Sequence, residues 1–328
     1  MRRYCKLLLL ICLCVSLAGC RLSRVPKEED NNLFVIGFSQ LGSESDWRLA
    51  NTQSMIDTFT NAKGYELIVE NALQQQDNQL AAIRRFILEE VDMIIIAPTT
   101  EEGWELILTE AQEADIPVII MDRSVSVWNK DLYLTNVGSN FLHEGKLAIQ
   151  WLEEQKIDTG DEPLKIVHLQ GTYGATSQLL RSRALETAVS EHDNWEITSQ
   201  LGGDFTEARG YEVMQQFLYK NKDVDVIYSE NDNMTFGAIR ALDEAGLTYG
   251  PDGKVKIITF DATKKALQLC LDGKIDVCVE CNPMHGPTIE KLIDQYRKGE
   301  VIPKTVYMEE SIYTREDLTQ DFIDSRGY

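Results

Sequence analysis

The chain has 328 residues, of which 43% are hydrophobic and 26% are charged, and its formal net charge at pH 7 is −21. An excess of acidic groups repels phosphate backbones and anionic lipid headgroups, which argues against nucleic acid or a polybasic membrane contact. It fits a neutral or cationic ligand instead. The length exceeds what one hydrophobic core usually supports, so we expect two domains.

The first residues have the composition of a secretory signal. Three basic side chains precede an apolar stretch at 7–17, which is shorter than the roughly 20 residues of a spanning helix. The stretch ends in Leu-Ala-Gly before Cys20, which resembles a bacterial lipobox with a lipidated cysteine. We predict a lipoprotein signal peptide at 1–19, a lipid anchor on Cys20 and a tether at 20–32, and hence a periplasmic or membrane-anchored extracytoplasmic protein. A simple secretory signal and a coincidental core helix are the alternatives.

Strand-like apolar runs follow in two series, with helix-like periodicity between them. Successive runs within a series start 24 to 32 residues apart, which is the length of a strand, a helix and two turns. The runs lie at 33–38, 65–69, 92–97, 116–121, 164–169, 195–199, 224–228 and 255–260. The sequence therefore predicts an α/β fold of two similar, doubly wound parallel-sheet lobes.

Each apolar run ends in polar residues, and the carboxyl ends of parallel strands meet at one edge of a sheet. The residues that follow the runs include carboxylates, amides, arginines and two isolated aromatics. They lie at 39–48, 71–76, 98–100, 122–123, 170–172, 204–205, 230–232 and 261. This mixture suits a neutral polyol, because carboxylates accept hydroxyl protons, arginine donates in a fixed fork, and a flat ring covers the C–H face of a sugar.

The cysteines and histidines do not indicate an enzyme. Cys278 and Cys281 have the spacing of a redox or zinc pair, but they lie in a strand-like run and no second pair of ligands follows. We therefore expect these two and Cys270 to be buried thiols. The sequence has no nucleotide-binding glycine motif, nucleophile elbow or paired metal-binding histidines. We predict no catalytic residue, metal or cofactor; a glycosidase that uses the rim carboxylates is the alternative.

Several of these segments together resemble the sugar-binding proteins of ABC importers. The resemblance covers nearly all of the predicted mature chain and is strongest with galactofuranose-binding proteins. It rests on the segments 37–40, 42–48, 96–98, 122–124, 203–206, 231–232 and on Asp261. It implies the type I fold of periplasmic binding proteins, which the effector domain of the lac repressor shares, and a monomer that binds galactofuranose or a related hexose or pentose.

The resemblance also implies roles for individual residues. Trp47 and Phe205 would sandwich the sugar ring, while Asp122 and Arg123 would bind its hydroxyls and ring oxygen. The second lobe would contribute Arg181, Asn231 and Asp261.

The resemblance implies three further residues in contact with the sugar. Gln74 would make a polar contact, and Arg48 or Glu44 would reach the exocyclic hydroxyls. Arg183 competes with Arg181, which the register favours. Each residue also has a structural alternative: an aromatic can belong to the core, an Asp–Arg pair can lie on the surface, and Asn or Asp can cap a helix.

The implied mechanism is closure of two lobes on the ligand, which is the known motion of periplasmic binding proteins. The expected lobes are 33–138 with 284–309, and 139–283 with 310–328. The expected hinge segments lie near 137–140, 262–265 and 283–287. The closed form would dock on a membrane permease; presentation of the sugar to a sensor kinase or chemoreceptor is the alternative.

Overall fold

Twelve strands and ten α-helices make up residues 33–328, which are the part of the chain that the computed structural model describes. The predicted signal peptide, Cys20 and tether lie outside the described residues. The strands are β1 Phe34–Gln40, β2 Tyr65–Asn71, β3 Met93–Ile96, β4 Val118–Met121, β5 Thr135–Gly138, β6 Leu164–Gln170, β7 Trp195–Gly202, β8 Val226–Ser229, β9 Lys256–Asp261, β10 Val277–Glu280, β11 Thr305–Tyr307 and β12 Ile312–Thr314.

The helices follow the strands in alternation over most of the chain. They are α1 Asp46–Thr58, α2 Gln76–Leu88, α3 Glu105–Glu113, α4 Phe141–Gln155, α5 Thr176–Glu191, α6 Glu207–Lys220, α7 Asp232–Ala245, α8 Lys264–Leu271, α9 His285–Arg297 and α10 Gln320–Ser325. Among these described residues, no helix is both long and apolar enough to cross a bilayer.

The strands form two six-stranded sheets. The first has the order β11-β5-β4-β3-β1-β2 and the second has the order β12-β10-β9-β8-β6-β7. All recorded pairings between named strands are parallel except that of β10 with β12. The predicted α/β fold with two parallel sheets is therefore confirmed, and each of the eight predicted runs contains a strand.

Burial on both faces explains why the central strands are continuous apolar runs. All four residues of β3 and of β4 are buried, as are those of β8 and β10. Parallel strands covered by helices on both sides require such runs. Polar residues therefore begin where the strands end, and these ends support the functional site.

The chain passes between the two sheets three times. The first crossing is 139–140 between β5 and α4, the second is 281–284 between β10 and α9, and the third is 308–311 between β11 and β12. The hinge segment expected at 262–265 is wrong, because it joins β9 to α8, and the chain then continues to β10 in the same sheet. The third crossing follows β11, a three-residue strand that is mostly exposed and gives little hydrophobic signal.

Candidate functional site

A narrow cleft lies where strand ends from both sheets meet. The cavity between its walls is small, with a volume of about 30 Å³. Its walls are Glu44, Ser45, Trp47, Arg48, Asp122, Arg123, Phe141, Ser177, Arg181, Phe205, Asn231, Asp261 and Cys281. Charged side chains from both halves of the molecule therefore lie close together in it.

The start of α1 brings an aromatic and a cationic side chain into the cleft. The Ser45 side chain caps the helix by accepting from the Arg48 N–H at 3.1 Å, so that Trp47 and Arg48 fall in the first turn. The Trp47 indole N–H donates to the backbone carbonyl of Cys281 at 2.6 Å. This bond fixes the ring of Trp47, which is 4% exposed, against the second crossing.

Two arginines and two carboxylates form an ion cluster on the same wall. Arg48 binds Glu44 at 3.0 Å and Asp122 at 2.6 Å, and Arg123 lies 3.9 Å from each of these carboxylates. Burial opposes charge on Asp122, but Arg48 and Arg123 outweigh it and lower the pKa of this carboxyl. Burial, together with neighbouring Arg48, lowers the pKa of Arg123 to about 10. Arg48, Asp122 and Arg123 are therefore charged at neutral pH.

Some polar atoms of this cluster lack a protein partner. Among the described residues, Glu44 Oε2, Arg48 Nη1 and Arg123 Nε are buried without a hydrogen bond. Buried polar atoms are nearly always bonded in native proteins, so an acceptor and two donors left open in one cleft indicate a polar ligand.

Arg181 reaches the cleft from α5, in the half of the molecule built on the second sheet. Its Nε donates to Glu144 at 2.7 Å and its Nη1 donates to the Glu230 carbonyl at 2.5 Å. Burial opposes the charge, but the carboxylate of Glu144 raises the pKa of Arg181 above its ordinary value. Burial and neighbouring Asp232 raise the pKa of Asp261, which keeps this carboxyl neutral. Arg181 is thus the charged group of this wall.

Phe205 follows β7 and packs directly over a glycine. A Cβ atom at Gly171 would lie 1.9 Å from the Phe205 ring, so only glycine leaves room for it. The Arg123 guanidinium lies 5.3 Å from the centre of the same ring, and so contacts it from the opposite wall. Phe205 therefore belongs to the cleft as well as to the core of its own half.

Three residues of the cleft have a left-handed backbone. Asp122, Phe205 and Asp261 have φ values of 65°, 60° and 108°. Such values are uncommon in residues other than glycine and are costly for a bulky side chain. The strain is concentrated where the strand ends turn their side chains toward the cleft.

Nine of the ten residues predicted for the sugar site line this cleft. Gln74 does not: it is exposed, in the turn before α2. Of the two competing arginines, Arg181 is buried in the cleft and Arg183 is exposed. Asn231 lines the cleft and also caps α7 through the Met234 N–H at 2.9 Å, so its two possible roles coexist.

Other residues of the site were not predicted. Ser45, Phe141, Ser177 and Cys281 line the cleft, and Glu144 pairs with Arg181 behind its wall. Phe141 and Cys281 each lie at a crossing between the sheets, and a hydrophobic residue or cysteine there looks like core in the sequence. Glu144 could have been noticed as a carboxylate on the otherwise apolar face of α4.

Comparison with known proteins gives consistent matches over most of the chain. A family model described as a periplasmic binding protein domain matches residues 36–285. The galactofuranose-binding protein YtfQ of Escherichia coli is 35% identical over 295 residues, which cover 89% of this chain and 91% of that protein.

Two solved structures are similar in both sequence and shape. A protein of Mycobacterium smegmatis in complex with β-D-fucofuranose is 36% identical, with a TM-score of 0.82, and the match covers 86% of this chain and 92% of that one. The binding protein of an arabinose ABC transporter from a Shewanella species, bound to L-arabinofuranose, is also 36% identical, with a TM-score of 0.79 and the same coverage.

Proposed function

Because this chain belongs to the periplasmic binding protein domain family, we propose that it captures a neutral monosaccharide in its furanose form and delivers it to an ABC permease. Membership confirms the predicted resemblance to sugar-binding proteins of ABC importers and the prediction of a binding protein rather than an enzyme. The specific sugar, the permease and the lipid anchor belong to the proposal.

The open hydrogen-bonding atoms of the ion cluster carry this proposal. Glu44 Oε2, Arg48 Nη1 and Arg123 Nε offer one acceptor and two donors to a ligand that Trp47 and Phe205 would cover. Hydroxyl groups satisfy donors and acceptors alike, whereas an apolar ligand would leave them unpaired.

The charge balance of the cleft favours a neutral ligand. The guanidiniums of Arg48, Arg123 and Arg181 face the carboxylates of Glu44, Asp122 and Glu144 at 2.6 to 3.9 Å. With Asp261 neutral, these charges cancel, so an added carboxylate or phosphate would be buried without compensation. The furanose ring form is supported by the relatives of 35–36% identity whose names or ligands are furanoses.

We propose that binding closes two lobes, 33–138 with 284–309 and 139–283 with 310–328. The support is that residues of both sheets line one cleft and that only three segments of the described chain join the sheets. A ligand that contacts both walls binds the closed form better and so shifts the equilibrium toward it. A signal peptide at 1–19 would direct export, and a lipid on Cys20 would then anchor the protein outside the cytoplasmic membrane.

Thermal shift against a sugar panel tests the proposal. D-galactose, D-fucose, L-arabinose and D-fructose each contain furanose forms in solution, and D-galacturonate supplies a matched anion. A ligand at 100 times its Kd adds about 2.7 kcal/mol of stability, so at least one neutral sugar should raise Tm clearly. The anomeric carbon signal of the bound, carbon-13-labelled sugar then identifies the ring form. A chain that no neutral sugar stabilises, or that galacturonate stabilises equally, would refute the proposal.

A further inference from the structure

The carboxyl group of Glu310 contacts all three segments that join the two sheets. Glu310 itself lies in the third crossing. Its Oε1 accepts a hydrogen bond from the Ser139 hydroxyl in the first crossing and from the Asn282 backbone N–H, at 2.9 Å, in the second. One side chain therefore joins the segments whose backbone must rotate when the two halves of the molecule move apart.

Glu310, which is half-buried, also meets the buried carboxyl group of Glu144. One oxygen of each and the sulfur of Cys281 lie within 4.8 Å of one another. Glu144 is 1% exposed; its Oε2 binds Arg181, and its Oε1 has no hydrogen bond among the described residues. Two carboxyl groups this close, one of them buried, disfavour ionisation of both at once.

Arg181 determines which of the two carboxyls keeps the proton. Burial raises the pKa of Glu144, although the guanidinium of Arg181 opposes this shift, while burial and the charge of Glu144 raise the pKa of Glu310 further, to about 9. Glu310 therefore holds the proton at neutral pH, and one of its carboxyl oxygens lies within 4.8 Å of an oxygen of Glu144.

We propose that Glu310 is a positioning residue for the sugar site, whose protonated carboxyl holds the Glu144–Arg181 pair toward the cleft and links closure to the uptake of a proton. This inference rests on the proposed sugar-binding function. When the halves part, the bonds of Glu310 to the first and second crossings rearrange and its contact with Glu144 loosens. The carboxyl then ionises at neutral pH, and closure must take the proton up again.

Four titratable groups surround the carboxyl group of Glu310. Glu144 comes from α4, Arg181 from α5, Cys281 from the second crossing and Asp261 from the end of β9. Burial raises the pKa of the Cys281 thiol, which stays neutral, and Arg181 stays charged. Asp261 also has a raised pKa and is the competing site for a proton, so the experiment must separate it from Glu310.

The sign of the pH effect follows from linkage. Because the closed form binds more protons than the open form, sugar affinity should fall as pH rises from 6 to 8. The limit is about tenfold in Kd per pH unit when one whole proton is taken up.

Calorimetric titration with D-galactose, and in parallel with L-arabinose, measures this proton directly. At pH 7, in buffers of different ionisation enthalpy, the slope of binding heat against ionisation enthalpy gives the protons taken up. The wild type should take up a clear fraction of one proton. Glu310→Gln should take up none and bind with a Kd that is constant from pH 6 to 8, because the amide keeps the acceptor for Ser139 and Asn282 and offers an N–H to Glu144. Glu309→Gln removes the same charge from an exposed neighbour and should behave as wild type.

Four results would overturn the inference. The wild type could bind sugar without taking up a proton, or Glu310→Gln could take up as much as wild type, which would assign the proton to another group such as Asp261. Excess EDTA could abolish the pH dependence, which would assign Glu144, Cys281 and Glu310 to a metal ion. Absence of binding heat with every neutral sugar of the thermal-shift panel would refute the proposed function itself, and this inference with it.

Discussion

The indole N–H of Trp47 donates to the backbone carbonyl of Cys281 at 2.6 Å, which ties the first turn of α1 to the second crossing. The ring that forms one wall of the cleft is therefore held by a segment that joins the two sheets. Any movement at this crossing changes the position of the ring, so the aromatic contact and the hinge are parts of one structure.

Replacing Trp47 should weaken sugar binding. Trp47→Phe keeps an aromatic ring but removes the donor to the Cys281 carbonyl, which then stays buried without a partner at a cost of about 1–3 kcal/mol. We expect a Kd about tenfold higher or more in a calorimetric titration. Trp128→Phe is the matched control, since Trp128 is 98% exposed and should leave Kd unchanged. Equal affinities of the two variants would contradict the assignment of Trp47.

Removing the charge of Asp122 should destabilise the protein and abolish binding. In Asp122→Asn the buried guanidiniums of Arg48 and Arg123 keep Glu44 as their shared carboxylate, and breaking a buried pair costs about 3–5 kcal/mol. Urea unfolding should show a loss of this order. Glu110→Gln breaks the exposed pair with Arg84 and should cost at most about 1 kcal/mol. Similar losses in both variants would mean that Asp122 is not enclosed.

A methyl group at position 171 should displace Phe205 from the cleft. In Gly171→Ala the added Cβ would lie 1.9 Å from the ring, and overpacking of this kind costs about 1–3 kcal/mol. We expect sugar affinity to fall at least tenfold, and the double variant Gly171→Ala with Phe205→Leu to regain stability but not affinity. Gly327→Ala, where a Cβ would meet no atom within 4 Å, is the neutral control. Full affinity in Gly171→Ala would show that Phe205 does not contact the sugar.

Acid should destabilise the protein through His285. Burial lowers the pKa of His285 to about 4, from an ordinary 6.5, so the folded state resists protonation. The contribution of neutral His285 to the free energy of unfolding is complete above pH 6.5 and is lost as pH falls toward 4. The total loss is about 1.4 kcal/mol for each unit by which the folded and unfolded pKa values differ.

The difference between variants isolates this effect from carboxyls such as Asp276, whose raised pKa of about 6 acts in the opposite direction. His285→Asn keeps an acceptor for the Asn51 amide and should lose less stability than wild type between pH 6.5 and 4. Parallel pH profiles of wild type and His285→Asn would contradict the prediction.

The central strands could be predicted because their physical requirement is local. A strand such as Val118–Met121 is buried on both faces and must be continuously apolar, and the polar residues after it must lie at the sheet edge. The same reasoning brought Asp122 and Arg123 to the cleft. By contrast, Thr305–Tyr307 is short and largely exposed, so the third crossing left no comparable pattern.

The residues behind the cleft could not be predicted from local patterns. Glu144 and Glu310 come from a helix and a connecting segment that are far apart in the chain. Glu310 looks like an ordinary surface carboxylate in the sequence, and for Glu144 the only signal is its place on the otherwise apolar face of α4. They come together because three connecting segments meet at one point in the folded chain, where Glu310 contacts Ser139 and Asn282. Gln74 illustrates the converse, since a polar residue at a strand end can still face solvent.

The burial of both cleft walls bears on how a bound sugar can leave. Arg123 and Arg181, on opposite walls, are each 2% exposed, so we expect a bound sugar to leave only when the two walls separate. Dissociation must wait for opening, and its rate constant cannot exceed that of opening. Sugars that bind the cleft weakly should therefore approach one common dissociation rate constant. Stopped-flow displacement would measure this limit, which is the rate constant for the separation of the two walls.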